Sequence, residues 1–382
     1  MSELWYRDNL GIYVHIPFCI KKCNYCDFNS YEGMDDIFDA YIDAIFAEMQ
    51  KIKLQVNDRR VDSIFIGGGT PSILPLGMIS KIIKGLLENF VIERHTEITI
   101  EVNPCTLTID KIKEYADAGI NRLSLGLQAW QDEMLAFLGR QHTLQRFLNA
   151  YEDGVKNGFN NINVDLIFGI PGQTLHQWKQ TIENVVLLKP KHVSCYSLSI
   201  EEGTKLSQMI KDNKTEIIND DEERKMYWQA VDILNKNGYS HYEISNFCFS
   251  GFQCRHNLKY WNANEYIGLG AGAHSYLNRK RYSNIKNVFE YIHNANKDDS
   301  YIIEEQLDDF CALKEHIMLN FRLIEGVDIK KIESIYKVDL FDIFEDKISK
   351  LINSGLIYKK DNSLKLTKKG IDYANQVFME FL

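Results

Sequence analysis

Residues 11–28 read GIYVHIPFCIKKCNYCDF, and they constrain the chain more than any other stretch. Gly11 to Ile16 has the apolar content of a buried strand. Pro17 ends it, because proline has no N–H to give to a ladder. The loop that follows carries Cys19, Cys23 and Cys26 in a C-x3-C-x2-C spacing. Three thiols at the tip of one tight loop cannot close three disulfides. Thiolates converging on one point suit a metal, and thiolate is the usual ligand of iron–sulfur clusters. Four ligands would satisfy a cubane cluster. Three leave one iron open, as a catalytic zinc keeps an open position. A zinc knuckle competes, but it wants four N/S ligands, and His15 in the upstream strand is the candidate for a fourth.

Composition narrows the class. The chain has 382 residues, 45% hydrophobic and 25% charged, which suits one large globular domain plus a smaller one. A net charge of −9 argues against a general nucleic-acid-binding surface. The stretch MSELWYRDNL has no apolar signal core, and no run reaches the roughly 18 apolar residues of a membrane span. Eight cysteines without a secretion signal read as cytoplasmic thiols or ligands, not a disulfide framework.

Beyond the cysteine loop the chain alternates strands and helices. Asp35 or Asp36 is placed to cap a helix whose apolar positions run from Ile37 to Met49. VDSIFI (61–66) is a strand leading into GGGTPS (67–72), with a helix about 77–90. ITIEVNP (98–104), RLSLGLQ (122–128), INVDLIFGIPG (162–172) and HVSCYSLSI (192–200) are strands. Helices lie between them at 109–119, 131–138, 143–157 and 174–188, and a further one at 218–237. Six β/α units imply right-handed crossovers and a parallel sheet. Eight would close a barrel, so six predict a partial (β/α)6 barrel with its chemistry at the carboxyl ends of the strands. YSHYEISNF (239–247) reads as one more strand, followed by a loop and the Gly-rich GLGAGAH (268–274). From about 305 the pattern becomes helices at 308–321, 328–335 and 341–353, a two-stranded wing and a last helix. That predicts a small winged-helix-like domain. Its residues 301–382 hold 12 basic against 15 acidic side chains, which argues against a DNA role. The expected division is 1–240, 241–300 and 301–382.

The cysteine spacing, with Tyr25 just before the third cysteine, resembles the signature of the radical S-adenosylmethionine (SAM) enzymes. The wider run YVHIPFCIKKCNYCDFNS is similar to the branch holding the oxygen-independent coproporphyrinogen dehydrogenases and, more closely, the heme chaperones related to them. The resemblance implies a [4Fe-4S] cluster on Cys19, Cys23 and Cys26 with SAM on the open iron. GGGTPS lets backbone N–H groups come close to a ligand, since glycine has no Cβ. It matches the family segment that holds the SAM amino group, which carries over to Gly68, Gly69 and Thr70. Glu101 ends its strand where a carboxylate can accept from ribose hydroxyls, and Tyr13 matches a tyrosine beside SAM. Gln128, Arg140 and Asp165 match positions lining a second SAM site. Asp165 inside an apolar strand is costly unless partnered, for example by Arg140 in a bracing network.

Two features separate the chaperones from the dehydrogenases. The dehydrogenases carry a fourth cysteine, C-x3-C-x2-C-x-C, and Phe28 stands at that position here. HNLKYW (256–261) resembles the chaperones' H-N-x-x-Y-W motif, associated with heme. His256 is a candidate axial ligand, and Tyr260 and Trp261 could lie against a porphyrin. A core turn with a satisfied histidine is the alternative for that motif. Cys248, Cys254 and His274 are further candidates, while Cys105, Cys195 and Cys311 read as structural. The resemblance implies heme uptake and delivery to apo-hemoproteins, or receipt from heme donor proteins, without nucleic acid. It leaves a dimer and transient membrane-protein contacts open. The competing functions are radical-SAM catalysis on a tetrapyrrole or other substrate, by coproporphyrinogen III decarboxylation or class-C methyl transfer, and a non-catalytic iron–sulfur module.

Overall fold

The architecture is taken from a computed structural model that describes residues 9–295, 297 and 301–382. Six strands follow one another in the sheet in chain order and in parallel: β1 (Leu10–Ile16), β2 (Arg60–Gly68), β3 (Val91–Val102), β4 (Arg122–Gln128), β5 (Ile162–Phe168) and β6 (His192–Ser197). The connecting helices are α1 (Phe38–Val56), α2 (Met78–Asn89), α3 (Ile109–Asp117), α4 (Leu144–Lys156) and α5 (Leu175–Leu188), with α6 (Asp220–Lys236) after β6. Thr108, Thr143, Thr174 and Asn219 start α3 to α6 by accepting from a backbone N–H one turn on. α1 starts differently from the expectation at Asp35 or Asp36. A 3-10 turn, Asp35–Ile37, runs into it, and no side chain caps it.

Side chains along these strands alternate between two faces. Leu10, Ile12, Val14 and Ile16 of β1, Leu123, Leu125 and Leu127 of β4, and Val164 and Leu166 of β5 belong to the main hydrophobic core. Tyr13, Ser124, Asp165 and Tyr196 face the barrel interior and line its cavities.

The sheet is wider than six strands. YSHYEISNF is not one strand: β7 (Ser240–Glu243) turns at Ile244–Ser245 into β8 (Asn246–Cys248), and β8 pairs antiparallel with β6. The HNLKYW segment is a helix, α7 (Arg255–Trp261). After it, β9 (Tyr266–Leu269) adds in parallel to the free edge of β1. β10 (His274–Leu277), β11 (Lys280–Asn284) and β12 (Tyr301–Gln306) continue outward antiparallel. The order is β12-β11-β10-β9-β1-β2-β3-β4-β5-β6-β8-β7, an unclosed barrel with antiparallel flanks. Buried Glu48 of α1 ties the β9 side together, accepting from Gly270 N at 2.9 Å, Asn284 Nδ2 at 2.6 Å and Tyr291 OH at 2.6 Å. Gly270 itself, at φ +101°, leaves no room for a Cβ beside the His15 carbonyl.

A second core from Leu313 to Phe381 belongs to the C-terminal unit. It comprises α8 (Asp309–Asn320), α9 (Ile329–Tyr336), α10 (Leu340–Asn353) and a three-stranded sheet. In that sheet β14 (Ser363–Leu366) lies between β13 (Ile357–Lys360) and the short strand Val327–Asp328. Among the described residues no helix is long and apolar enough to cross a membrane.

Helix α7 closes the barrel at its amino end. Glu97 of β3 accepts from the first N–H groups of α7, Arg255 N at 2.9 Å and His256 N at 3.4 Å, as a carboxylate does at a helix N-terminus. Lys259, 1% exposed, pairs with buried Asp62 at 2.6 Å and donates to the Asn9 carbonyl at 2.9 Å. A Cβ on Gly11 would stand 2.8 Å from Lys259 Cδ, so β1 must present a glycine there. The C-terminal unit grips the end of this helix: Asn320 donates to the Trp261 carbonyl, and the Arg322 guanidinium lies 4.3 Å over the Trp261 ring.

Removing one partner of a buried pair strands the other charge. Lys259→Ala is therefore expected to cost about 3–5 kcal/mol of stability, read by urea denaturation. A loss below about 1 kcal/mol would show that the plug is not held this way.

Candidate functional site

The cysteine loop is held from three sides. Behind Pro17, Tyr31 N donates to the Pro17 carbonyl, and Phe18–Cys19 pairs in parallel with Tyr31–Glu32. At its tip, Asn24 is clamped: its N–H donates to Leu138 O at 2.9 Å, its Nδ2 to Phe137 O at 2.6 Å, and its carbonyl accepts from Leu206 N. Gly139, at φ +77°, makes this docking possible, since a Cβ there would meet the Asn24 amide at 2.9 Å. The same turn delivers Arg140, which donates to Gly126 O at 3.0 Å and reaches Cys23 Sγ at 3.5 Å.

GGGTPS docks against the other flank. Gly69 N donates to Ile16 O, Thr70 N to Phe18 O, and Gly68 N to Glu101 Oε2 at 3.0 Å. The N–H groups read from the sequence as ligand-facing are thus engaged within the protein. Glycine is needed here because of the neighbours: a Cβ on Gly69 would sit 2.7 Å from Phe18 O and 3.0 Å from Cys19 Sγ. Thr70 Oγ1 lies 3.5 Å from Cys19 Sγ.

These pieces surround a cavity of about 530 Å³ at the carboxyl ends of the strands. Cys19, Cys23, Cys26, Gly68, Gly69, Thr70, Glu101, Gln128, Arg140 and Asp165 all line it, so most of the expected residues meet in one place. Gln128 sits at φ +72°, beside an irregularity in the β4–β5 register; such strain in a non-glycine residue at a cavity wall is a mark of function. Phe28, 58% exposed, stands on the rim.

The thiols do not converge on one point. Among the described residues, no three His, Cys, Asp or Glu side chains gather closely enough to hold a single metal ion. A cubane asks for something different, because each cysteine ligates its own iron and the sulfurs stand apart around the cluster. Three thiols spread over one wall of a 530 Å³ cavity fit that donor set. Burial raises the Cys19 thiol above its ordinary range and pushes Cys26 up to about 11. His15 is no fourth ligand: its Nε2 donates to the Asn29 carbonyl at 2.8 Å, and its Nδ1 accepts from Tyr13 OH at 2.9 Å.

Below this cavity lies a second one of about 180 Å³, within the barrel. The two share Glu101, Ser124, Asp165 and Tyr196. Tyr13, His256 and Tyr260 line the deeper one. Asp165 accepts from Ser124 Oγ and Asn163 Nδ2, both at 2.8 Å, not from Arg140 as the sequence suggested. Asn163 extends the network to His192 at 2.6 Å and Ser194 at 3.1 Å. Burial, with Asp165 nearby, pushes Glu101 up to about 8. His256 is 1% exposed and both ring nitrogens are engaged, Nδ1 with Ser63 Oγ at 3.1 Å and Nε2 with Tyr260 OH at 2.9 Å. Burial, then the charges of Lys259 and Arg122, push it down to about 3. Trp261 lies apart on the C-terminal unit, so His256, Tyr260 and Trp261 form no common porphyrin face. Cys248 and Cys254 are buried, and His274 is exposed beside Glu304.

Sequence reasoning passed over Asn24, Arg122, Ser124 and Asn163. The signal was present: in RLSLGLQ and INVD, polar side chains take every second position among leucine, isoleucine and valine.

An unclosed six-unit barrel with three cysteines at its mouth defines the radical SAM class. Residues 13–185 match the radical SAM superfamily, and residues 311–373 match the HemN C-terminal domain. The chain is 37% identical to the heme chaperone HemW of Lactococcus lactis over 97% of this chain and 96% of that protein. It is 33% identical to HemW of Bacillus subtilis (97% and 98% covered) and 31% identical to HemW of Escherichia coli (98% of each). It therefore belongs to the HemW family of radical SAM proteins. Among solved structures, coproporphyrinogen III oxidase (HemN) of Escherichia coli shares the fold, with a TM-score of 0.86 at 23% identity, over 98% of this chain and 90% of that one. Membership of the superfamily implies SAM and a [4Fe-4S] cluster.

A carboxyl whose folded pKa is raised holds a proton that the unfolded chain has already lost. The contribution of Glu101 to the stability of the ligand-free chain is thus expected to fall as pH rises from about 4.5 to about 8, and to level beyond that. Glu101→Gln should flatten the upper part of this slope in a series of melting curves. An unchanged slope would mean that Glu101 is ionised at neutral pH.

Proposed function

We propose that this chain is a radical-SAM-type heme chaperone, which binds a [4Fe-4S] cluster, SAM and heme and hands heme to apo-hemoproteins in the cytoplasm. The observation that carries the reading is the end-to-end match to relatives named heme chaperones. In it, Cys19, Cys23 and Cys26 each hold one iron. Arg140 faces Cys23 and offers charge to a thiolate there. With the N–H groups of Gly68, Gly69 and Thr70 engaged elsewhere, the carbonyl oxygens of this segment and the Thr70 hydroxyl are the acceptors for the SAM ammonium. Glu101 takes the ribose hydroxyls, and Tyr13 packs below. When bound and reduced, the cluster supplies the electron that splits the sulfonium of SAM; the protein orients the partners and keeps water out.

His256 is not assigned to the heme iron, since its ring nitrogens are both committed inside the barrel floor. Phe28 occupies the place where the dehydrogenases have a fourth cysteine, and decarboxylation of coproporphyrinogen III is not part of this reading. A second reading, a radical SAM enzyme on a tetrapyrrole, draws on one arrangement: Gln128, Arg140 and Asp165 share the cavity with the cysteines, as a second SAM would need.

Anaerobically reconstituted protein tests both. The expected results are stoichiometric heme uptake, release of heme to an apo-cytochrome, and no harderoporphyrinogen or protoporphyrinogen from coproporphyrinogen III. Formation of those products, or of a methylated product, moves the assignment to the second reading. His256→Ala is expected to lower the melting temperature while leaving the heme Soret spectrum and affinity unchanged. A shifted Soret band with weakened binding would restore His256 as the ligand. Replacing Cys19, Cys23 and Cys26 together by alanine should abolish the cluster absorbance. Iron and sulfide retained by that triple variant would sink the site.

A further inference from the structure

The deeper chamber holds a charge that nothing in the protein fully satisfies. Arg122 opens β4 on the barrel floor and is 2% exposed. It lines the chamber, and its Nε meets no hydrogen-bond acceptor among the described residues. A buried guanidinium with an idle donor is costly. Glu97 and Asp165 lie close enough to stabilise its charge, yet neither gives an oxygen to Nε. Asp165 gives its oxygens to Ser124 and Asn163. Glu97 turns one of its oxygens to the start of α7. The chamber, about 180 Å³, is far larger than one water requires, and it adjoins the cofactor cavity at Glu101, Ser124, Asp165 and Tyr196, which line both.

We propose that this chamber is a ligand site in its own right, and that it takes the carboxylate of a small molecule on Arg122. A planar carboxylate matches the donor fork of a guanidinium, and the pair is strongest where water is excluded. Asn257 also lines the chamber and offers a further amide. Phosphate fits less well, since its two charges would face Asp165 as well as Arg122. Glu101, raised by burial and by Asp165, is protonated at neutral pH and does not repel the ligand. The carboxylate is that of a free short-chain acid or of a heme propionate; the second rests on the function proposed above.

The test uses the full chain without cluster, titrated with formate, acetate and propionate, with chloride and inorganic phosphate as controls, and followed by melting temperature. The carboxylates are expected to give a saturable rise that the controls do not. Arg122→Gln should abolish it, and Arg122→Lys should weaken the fitted affinity at least about tenfold. Asn257→Leu, which fills the chamber, gives the same loss should Arg122→Gln fail to fold. Equal shifts in wild type and both variants, or none in any, overturn the proposal and leave a chamber of ordered water only. The source is read from reconstituted protein. Heme dimethyl ester binding more weakly than heme in wild type but not in Arg122→Gln supports the proposal with a propionate as ligand. A carboxylate shift that persists in a protein unable to take up heme also supports it, while removing the chaperone reading.

Discussion

The hollow interior of the barrel is the constraint on which the rest of the structure depends. A closed eight-stranded barrel fills its centre with branched side chains. Here β4 and β5 turn Ser124, Asn163 and Asp165 inward and send their leucines and valines out to the helices. A polar interior cannot collapse on itself without stranding those groups, so it stays open at the mouth and must be sealed at the floor. Helix α7 is the seal, and sealing explains its motif residues. Lys259 reaches Asp62, His256 reaches Ser63, and the backbone start of the helix meets Glu97. The HNLKYW signature and the cysteine signature therefore stand at opposite ends of one cavity system.

Much of this was legible in the sequence, and the reasons differ by element. The six β/α units were readable because each strand is a short apolar run and most helices open on a threonine or asparagine cap. The partial barrel, and the meeting of Cys19, Cys23, Cys26, Gly68, Glu101 and Asp165 at one end of it, followed from that regularity, while the family was read from the cysteine run itself. What escaped is non-local. β9 is only Tyr266–Leu269, contains a glycine, and pairs with a strand some 250 residues earlier; nothing in its own residues names that partner. The 239–247 run looks continuous because no glycine or proline interrupts it, yet the chain reverses at Ile244–Ser245. For Asp165 the sequence offers Arg140 as partner, the nearest formal charge in the motif set. In the fold, two neutral side chains on adjacent strand positions satisfy the carboxylate, while the guanidinium turns to a carbonyl and a thiol.

The mouth shows how motif residues can matter through one another. Gly139 is required by Asn24, Asn24 fixes the middle of the cysteine loop, and the turn that Gly139 forms carries Arg140 to Cys23. On the other flank Gly69 is required by Cys19 and by the Phe18 carbonyl. Neither glycine need touch a ligand to be indispensable; each sets how closely two loops approach, and so where the thiols stand. This is why GGGTPS acts here through missing side chains and not through its amides.

A barrel built this way places its costs where ligands can offset them. Buried Arg122 and part-buried Glu101 and Asp165 line one chamber, partly satisfied by the protein. Binding that supplies the missing partners stabilises the folded state in proportion to occupancy, so stability and loading are coupled. The two ends are held by different means. The floor is held by a direct ion pair, Lys259 with Asp62, and by a capped helix, and it depends on no ligand. The mouth is held by backbone contacts to the cysteine loop, with Thr70 and Ser30 beside Cys19, Arg140 beside Cys23 and the Phe28 backbone beside Cys26. Protein contacts thus order both ends: the docking of Asn24 and of Tyr31 at the open one, and the motif first associated with heme at the closed one.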